Sequence, residues 1–458
     1  MQLRDNIASI EHLGVLIKEC GLPGEGTEDK VVPAHPSAVQ LSVDRWLILY
    51  ATRMFRGTDD DTSIVYQVRA NTPDGRLIRE AMLQPTTNRW EPFGGGEGQF
   101  VKQHGHPSAF GVPKGALIKG KPAPSANVFA LLWRMVARAY DPETGLIEGA
   151  SPHPDMIART TASEWTQVRL NDAGDDIEVL QEIRQLRQKG YGDEGPEFCE
   201  AEDAGYMSQG YTPLVPLNGE CTEWTVCNHF DRDRVAALRF RFNREVGCYE
   251  WTETGPYLFP ADQKLSNAAI APYRDYWVSG VRTDYVVNHV KYGTGLKWVR
   301  MDDPFSKPSE PVHVIPPKAQ APIVISYCPD RFLRLFSGDP DASPSGNPWN
   351  PLFCWTIDPD KGFRASNQRI VFDVEEAGLP IRRAAMPKAD MCKPLFHNGS
   401  TQYFLHRVSI VSNLFEHIHT VPERWVFPPV NDQEIASCGI YCGKITYRDP
   451  EPTRWQFS

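Results

Sequence analysis

The sequence predicts an all-β fold, a β-propeller of six blades, and two observations support this. Residues 46–50 and 63–68 are apolar runs rich in β-forming residues, they flank a polar loop, and Asp74-Gly75 then supplies a hairpin turn. The same outline returns along the chain: a small-residue first strand, a second strand with a basic side chain near its end, a polar loop and a third strand. It follows residues 106–108, 265–267, 322–324 and 390–392. A repeated four-stranded unit of this size is typical of a propeller blade.

The repeats predict one propeller domain over residues 31–447, between an N-terminal segment (1–30) and a C-terminal tail (448–458). We expect the blades at about residues 35–83, 104–170, 211–259, 264–302, 322–373 and 390–428, with a closing strand at 435–447. Propellers commonly close when a strand from one terminus completes a blade begun at the other. We therefore expect the N-terminal segment to lie against the body or to pair with a terminal strand. Seven blades are the alternative if residues 80–120 hold another.

Two stretches interrupt the repeats. Residues 175–189 carry apolar side chains at a spacing of three (Ile177, Leu180, Ile183 and Leu186), with acids at the start, bases at the end and Gly190 as a stop. This pattern predicts a short helical insertion on the surface. The proline-rich residues 304–322 are predicted to be a connector between blades.

Composition excludes several classes of function. The 458 residues carry a net charge of −10 without a cluster of Lys and Arg, which argues against nucleic acid as a partner. No apolar run approaches bilayer length, so no membrane span is expected. The N-terminus lacks a signal-peptide pattern, which predicts a cytoplasmic protein as given, or a secreted or periplasmic one if a leader has been removed. The ten cysteines lack zinc-site spacing and are expected to be free, buried thiols. The oligomeric state is left open.

The polar loop of the first blade is the first candidate catalytic group. It contains Arg53, Arg56, Asp59, Asp60 and Asp61. Glycosidic cleavage needs a carboxylic acid that protonates the leaving oxygen, and clustered carboxylates raise the pKa of one of them. The alternative is a solvated acidic turn with local Arg–Asp pairs.

Histidines form the second group. His35 and His106 each begin a His-Pro-Ser tripeptide at the start of a blade, and His104 lies two residues before the second tripeptide. The first strands of a propeller surround its axis, so these side chains can reach one another, a metal ion or a substrate. The alternative is a set of core histidines bonded to neighbouring blades.

Basic residues near the ends of the second strands form the third group: Arg53, Arg134, His229, Arg282, Arg334, His406 and Arg407. The planar guanidinium fork matches a carboxylate, which predicts binding of a uronic or ulosonic acid, with Arg282 and Arg407 as the preferred ligands. Others are expected to form salt bridges between blades. Candidates for a nucleophile or base are Tyr273, Tyr285, Tyr327 and Glu416; a tyrosine in this role needs activation by a neighbouring base or cation.

On these residues the chain resembles the sialidase-like (BNR-repeat) β-propeller superfamily, with its related glycoside hydrolases and polysaccharide lyases. The resemblance covers most of residues 31–447 and is strongest at HPSAVQL, DRWLILYATR and DDDTSIVYQVR in the first blade and at LSNAAIAPYRDYWVSGVR and GLKWVR in the fourth. It implies an active site at the hub, an arginine cluster that holds an acidic sugar, an aspartate acid on the loop 53–61 and a Tyr/Glu nucleophile pair. Asp-box repeats and an FRIP-type arginine motif are missing from the sequence.

The resulting hypothesis is an exo-acting glycoside hydrolase of sialidase-like type that acts on an oligosaccharide or polysaccharide containing an acidic sugar. No cofactor is required. One alternative is a polysaccharide lyase that cleaves next to a uronic acid, with His104, His106 or a tyrosine as the base. The resemblance to such lyases implies hub histidines that act as acid or base or hold a central divalent cation, such as calcium. The second alternative is a non-catalytic propeller that binds a glycan or a protein.

Overall fold

The structure is a computed structural model. It describes residues 6–18, 31–54, 63–85, 100–139, 161–186, 207–209, 213–230, 234–260, 264–287, 290–319, 322–383, 387–395, 399–410 and 431–457. Almost all regular structure in these ranges is antiparallel β-sheet, which confirms the predicted all-β propeller class. The described helical structure consists of a 3-10 turn at Pro359–Lys361 and the one-turn helix α1 (Asp432–Ala436). No helix within these ranges is long and apolar enough to span a membrane.

Six sheets of four or five strands are present in the described residues, and each is called a blade. The first strand of the chain, β1 (Ile7–Ile17), belongs to blade six. Blade one consists of β2 (Val31–Ser42), β3 (Arg45–Met54), β4 (Ile64–Ala70) and β5 (Leu77–Gln84). Blade two consists of β6 (Phe100–Val112), β9 (Val128–Ala139), β10 (Thr161–Leu170), β11 (Ile177–Val179) and β12 (Arg184–Leu186). Its first two strands are joined through the small hairpin β7 (Ala116–Ile118) and β8 (Lys121–Pro122).

The remaining blades follow the same order. Blade three consists of β13 (Met207–Gln209), β14 (Val215–Pro216), β15 (Glu223–Phe230), β16 (Arg234–Asn243) and β17 (Cys248–Tyr257). Blade four consists of β18 (Lys264–Tyr273), β19 (Tyr276–Val287), β20 (Val290–Met301) and β21 (Val312–Val314). Blade five consists of β22 (Val324–Tyr327), β23 (Leu333–Gly338), β24 (Leu352–Asp358) and β25 (Arg364–Phe372). Blade six consists of β26 (Pro387–Pro394), β27 (Thr401–Ile410), β28 (Gly439–Tyr447) and β1.

The blades form a closed ring. The first strand β2 contacts both β6 and β26, and β22 contacts both β18 and β26. Six apolar clusters lie between neighbouring blades, one at each contact including that between blades six and one. Pairing of β1 with β28 places a strand from the N-terminus at the outer edge of the last blade. Blade six is therefore built from strands near both ends of the described chain, and this pairing closes the ring.

Both faces of a blade are buried, and the sequence of β3 shows why. Leu47 and Leu49 pack into the cluster shared with blade two, whereas Ile48 and Tyr50 pack into the cluster shared with blade six. A strand covered on both faces needs a continuous apolar run rather than an alternating one. Three tryptophans are buried in such clusters as well: Trp165, Trp224 and Trp355.

The helix predicted at residues 175–189 is wrong in the described part. Residues 177–179 and 184–186 form β11 and β12, which both pair with β10 as the outer edge of blade two. Ile177 and Ile183 pack toward blade one, whereas Leu180 and Leu186 pack toward blade three. The apolar residues are three positions apart because two short strands each contact a different neighbouring blade. They do not form the single apolar face of a helix.

Two further boundaries differ from the prediction. The proline-rich stretch 304–322 contains β21, which is the fourth strand of blade four. The predicted closing strand at 435–447 begins as α1, which Asn431 caps, and becomes a strand only at Gly439. Eight of the ten cysteines lie in the described residues, and these eight are buried free thiols, as predicted.

The C-terminal tail crosses the ring at the end where the first strands finish. The Glu451 N–H donates to the Pro329 carbonyl, and the Tyr327 hydroxyl donates to Glu451 Oε1 at 3.0 Å, both in blade five. The tail then reaches the opposite blade, where the strand β29 (Gln456–Phe457) pairs with β7. Trp455, 3% exposed, packs into the cluster between blades two and three. The tail therefore ties blades that face each other across the axis.

We predict that Trp455→Ala destabilises the whole propeller, because it removes a large buried side chain from the contact of the tail with blades two and three. The expected loss is about 3 kcal/mol or more of unfolding free energy. Urea unfolding would show this loss as a lower midpoint with an unchanged m-value, the slope of the unfolding free energy against urea concentration. Leu77→Ala, at a side chain that is 43% exposed, is the control and should change the midpoint little. An unchanged midpoint for Trp455→Ala would mean that the tail is only loosely attached.

Candidate functional site

The first strands of four blades share a one-residue β-bulge. Pairing with the second strand shifts between Ala34 and Ser37 in β2 and between Gly105 and Ser108 in β6. The same shift occurs at 266/269 in β18 and at 390/393 in β26. A bulge places an extra residue in one strand and turns its side chain away from the regular alternation. All four bulges lie near the middle of their strands, and we call the region of the ring around them the hub.

Three of the bulges carry a residue in the left-handed backbone region. These residues are His35 (φ 50°), His106 (φ 55°) and Asn267 (φ 57°). Such a conformation costs a non-glycine residue about 1–2 kcal/mol, although histidine and asparagine are among the residues that tolerate it. Strained residues that a fold retains cluster at functional sites. The repeated strain at equivalent positions therefore makes the hub the candidate functional site.

The structure brings His35 and His106 together. Their ring centroids are 4.1 Å apart and the ring planes meet at 79°, an edge-to-face arrangement. Both side chains are buried, at 1% and 4% exposure. The two His-Pro-Ser tripeptides of the sequence thus occupy adjacent blades and place two imidazoles in direct contact.

His104 has a different environment. Its Nδ1 lies 3.2 Å from Glu164 Oε2, and neither side chain is more than 1% exposed. Glu164 also accepts hydrogen bonds from Trp133 Nε1 at 3.0 Å and from Gln185 Nε2 at 3.2 Å. Sequence analysis missed Glu164, which lies among mixed polar and apolar residues in β10 and belongs to no motif. His104 is therefore turned toward the third strand of its own blade.

Three of the predicted arginines occupy one equivalent position. Arg134 pairs with Gly105, Arg282 with Ser266, and Arg407 with Asp390, in each case at the residue just before the bulge of the first strand. Arg282 and Arg407 are 8% and 1% exposed. The three belong to blades two, four and six, so that a guanidinium stands beside the bulge in every second blade.

His229, near the end of β15, contacts the bulge of blade four. The Ala268 N–H donates to His229 Nε2 at 3.2 Å, which requires that nitrogen to be unprotonated. Burial, and secondarily the charge of Arg134, lowers the pKa of His229 to about 4. The imidazole is therefore neutral at physiological pH and holds the backbone that follows Asn267.

Lys393 is a hub residue that sequence analysis missed. Its Nζ lies 2.5 Å from the Pro107 carbonyl and 3.1 Å from Ser108 Oγ, in the bulge of blade two. The side chain is 2% exposed, and burial lowers the pKa of its amine to about 7. Its strand also carries Lys388 and Asp390, so no motif distinguishes this lysine in the sequence.

Several predicted residues lie elsewhere in the fold. Arg334 is the second residue of β23, not the last, and its Nη2 bonds Asp330 at 2.5 Å, so its prediction as a strand-end ligand is wrong. Tyr273 ends β18, far along the strand from the bulge, and packs beside Tyr276 and Tyr327. His406 stacks among core aromatic rings. The structure does not bring these residues to the hub.

The aspartate loop cannot be placed by the structure. Arg56, Asp59, Asp60, Asp61 and Glu416 lie outside the described residues. Only the backbone is described for Arg53, which pairs with Val32, and for Tyr285, which pairs with Tyr292. The roles given to these side chains stay predictions.

The described residues do not supply a calcium site. Calcium takes about six to eight oxygen ligands, and no group of three or more His, Cys, Asp or Glu residues that could hold a metal ion occurs in the part that the structure describes. His35 and His106 offer nitrogen, and His104 faces Glu164. The central cation stays a prediction that depends on other residues.

Replacement of Glu164 by glutamine is predicted to destabilise blade two. The amide keeps one acceptor oxygen, so Trp133 or Gln185 would face a second donor in a buried site, at a loss of about 1–3 kcal/mol. Urea unfolding of Glu164→Gln measures the loss. Glu178→Gln, at an exposed pair with Arg169, should change little and is the control. Equal effects of the two substitutions would contradict the assigned network.

His229 predicts a pH dependence of stability on the acid side. The unfolded imidazole has a pKa of about 6.5 and the folded one about 4, so the unfolded chain binds more protons between these values. Stability is then fully present above the unfolded value and is lost as the pH falls toward the folded one, by an amount on the order of 3 kcal/mol. The difference in unfolding free energy between wild type and His229→Gln should therefore change with pH in this window. A difference that stays constant would contradict the neutral imidazole.

Comparison with known proteins gives structural matches only. No protein-family model matches the sequence, and no curated protein matches it. A protein of unknown function from Dyadobacter fermentans DSM 18053 superposes with a TM-score of 0.52 at 10% identity, over 96% of this chain and 100% of the other.

Sialidases are also among the structural matches. Trypanosoma rangeli sialidase in complex with the inhibitor DANA gives a TM-score of 0.52 at 10% identity, over 96% of this chain but only 58% of the sialidase. The same enzyme with 2,3-difluorosialic acid as a covalent intermediate gives an equal TM-score. At such low identity the likeness concerns the fold alone. The predicted resemblance is confirmed at that level: the chain has a sialidase-like β-propeller fold.

Proposed function

We propose that this protein is a carbohydrate-active enzyme that hydrolyses a glycan next to, or at, an acidic sugar. The observation that carries the proposal is the repeated bulge, which collects two imidazoles and stands beside three arginines at equivalent positions. The fold shared with sialidases supports the broader class, glycoside hydrolase-like. An acidic sugar is the substrate that fits a hub whose described ionisable groups are mostly basic.

Substrate binding is assigned to the arginines. A guanidinium can donate two parallel hydrogen bonds to one carboxylate, which fixes its orientation as well as its position. Arg282 and Arg407 are the preferred ligands because both are nearly buried and each pairs with the residue just before the bulge of the neighbouring first strand. Arg134 completes the set from blade two. Fixed donors of this kind hold the sugar while the bond at its anomeric carbon is broken.

Hydrolysis requires an acid for the leaving oxygen and a nucleophile or activated water. We assign the acid to the group Asp59, Asp60 and Asp61, which lies between β3 and β4 of blade one in the sequence. Arg53 and Arg56 precede this group in the sequence and would hold the remaining carboxylates ionised. The acid donates its proton to the glycosidic oxygen, and the ionised partner stabilises the positive charge that develops on the sugar.

Elimination by a lyase is the second candidate, and the contact between His35 and His106 favours it. A base must remove the proton next to the uronate carboxylate while a cationic group neutralises that carboxylate. His106 suits the role of base better than His104, because His104 is fully buried against Glu164. His35 would then orient the His106 ring, and an arginine would hold the carboxylate.

The deciding experiment is a product assay on oligosaccharides that contain uronic or ulosonic acids. We expect new reducing ends without the ultraviolet absorbance of an unsaturated uronate, and loss of turnover in Asp60→Asn. Reducing ends together with that absorbance, and dependence on His106, would replace the hydrolase by the lyase. Binding of a glycan without any product from a broad panel would contradict both and indicate a binding propeller.

Arg282→Lys should lower kcat/KM for the acidic substrate about 100-fold, which corresponds to about 3 kcal/mol. Lysine keeps the charge but cannot make the paired hydrogen bonds. The matched control is Arg241→Lys, at an exposed arginine that pairs with Glu223 on the surface of blade three, and its kcat/KM should stay within about twofold. Equal activity of the two variants would show that Arg282 does not bind the substrate.

A further inference from the structure

Lys393 links two blades that are not neighbours. It lies on β26 of blade six, and its amine donates to the Pro107 carbonyl and to Ser108 Oγ of blade two, 286 and 285 residues away in the chain. Blade one stands between these blades, and its first strand contacts both β26 and β6. The side chain therefore reaches past an entire blade, and its path lies inside the ring.

The other bulged strands show that Lys393 is exceptional. The first paired residue after the bulge is Ser37 in β2, Ser108 in β6 and Ala269 in β18, whereas in β26 it is Lys393. The equivalent position therefore carries a small side chain in three of the bulged strands and a long, basic one in the fourth.

A lysine at this position is unfavourable for stability. The side chain is 2% exposed, and burial lowers the pKa of its amine to about 7, which shows that the surroundings disfavour the charge. The amine uses its N–H donors on the Pro107 carbonyl and on Ser108 Oγ, and these two hydrogen bonds offset part of the cost of burial.

Those donors meet the backbone that follows His106. His106 is in the left-handed region, and Pro107 has no N–H with which to support the bulge. The bulge of blade four is held in a comparable way, since His229 of blade three accepts the Ala268 N–H directly after Asn267. In both cases a polar side chain from another blade binds the backbone beside a strained residue.

We propose that Lys393 is a positioning residue that clamps the bulge of blade two from blade six and so holds the His106 imidazole against His35. The Pro107 carbonyl and the Ser108 hydroxyl are its two acceptors. Only the kinetic consequence rests on the proposed function, because the contact of the two rings can be measured without a substrate.

Lys393→Met tests the clamp, since methionine keeps the length of the side chain and removes all N–H donors. The probe is the ring signals of His35 and His106 in protein labelled with ¹³C-histidine, assigned through His35→Gln and His106→Gln. We expect both signals to shift or broaden in the folded Lys393→Met protein. Where the product assay gives turnover, kcat should fall between about tenfold and 100-fold while KM changes little.

Leu405→Ala is the matched control. Leu405 is the cross-strand partner of Lys393 and is fully buried. Its apolar side chain packs between blades six and one. It should lower stability and leave the two ring signals in place. Equal changes in Leu405→Ala and Lys393→Met would reduce Lys393 to an ordinary structural residue and overturn the proposal.

Ser108→Ala provides a milder second variant, which removes one acceptor and leaves the amine. It should shift the His106 signal less than Lys393→Met does, and in the same direction. Unchanged ring signals in folded Lys393→Met would overturn the clamp; if that variant does not fold, unchanged signals in Ser108→Ala would do so. Absence of turnover across the glycan panel would count against the proposed function and leave the result from the ring signals standing.

Discussion

The bulge in the first strands is the constraint on which the hub depends. A regular strand points its side chains alternately toward the two neighbouring blades, which here means into apolar clusters. One extra residue interrupts that alternation, and His35, His106 and Asn267 occupy the interruption with left-handed backbone. The second strands then place Arg134, Arg282 and Arg407 opposite the residue before the bulge. Without this break the strands would offer packing surface and no common site.

Such strain and buried charge need support from elsewhere in the fold. Fully burying one large apolar side chain contributes about 1.5–3 kcal/mol, and each of the six contacts between blades contains a cluster of buried apolar side chains. A left-handed histidine or an amine with a lowered pKa costs a few kcal/mol at most. The ring can therefore carry several polar groups around the bulges of its first strands, because every contact between blades also buries a cluster of apolar side chains.

Much of the fold could be predicted from sequence, because each blade repeats the same order of strands and turns. The contact of His35 with His106 also followed from two identical tripeptides at equivalent positions. The helix predicted at 175–189 failed because a spacing of three arises as well from two short strands that face different neighbours. The prediction of Arg334 as a strand-end ligand failed because the strand begins only at Leu333. Strand direction and register, rather than proximity to an apolar run, decide which end of a blade a side chain occupies. Glu164 and Lys393 lie in strands of mixed polar and apolar residues, and only the three-dimensional contacts reveal their partners.

The two ends of the ring have different roles. The tail from residue 448 onward crosses the end where the first strands finish, and it binds blade five and blade two on opposite sides of the axis. Lys393 fills part of the space inside the ring. Arg134, Arg282 and Arg407 stand at the same register position in alternate blades, so they surround the axis rather than line one side of it. Under the proposed function, that placement would let guanidinium groups reach one carboxylate from different directions, whereas arginines in adjacent blades would reach it from one side.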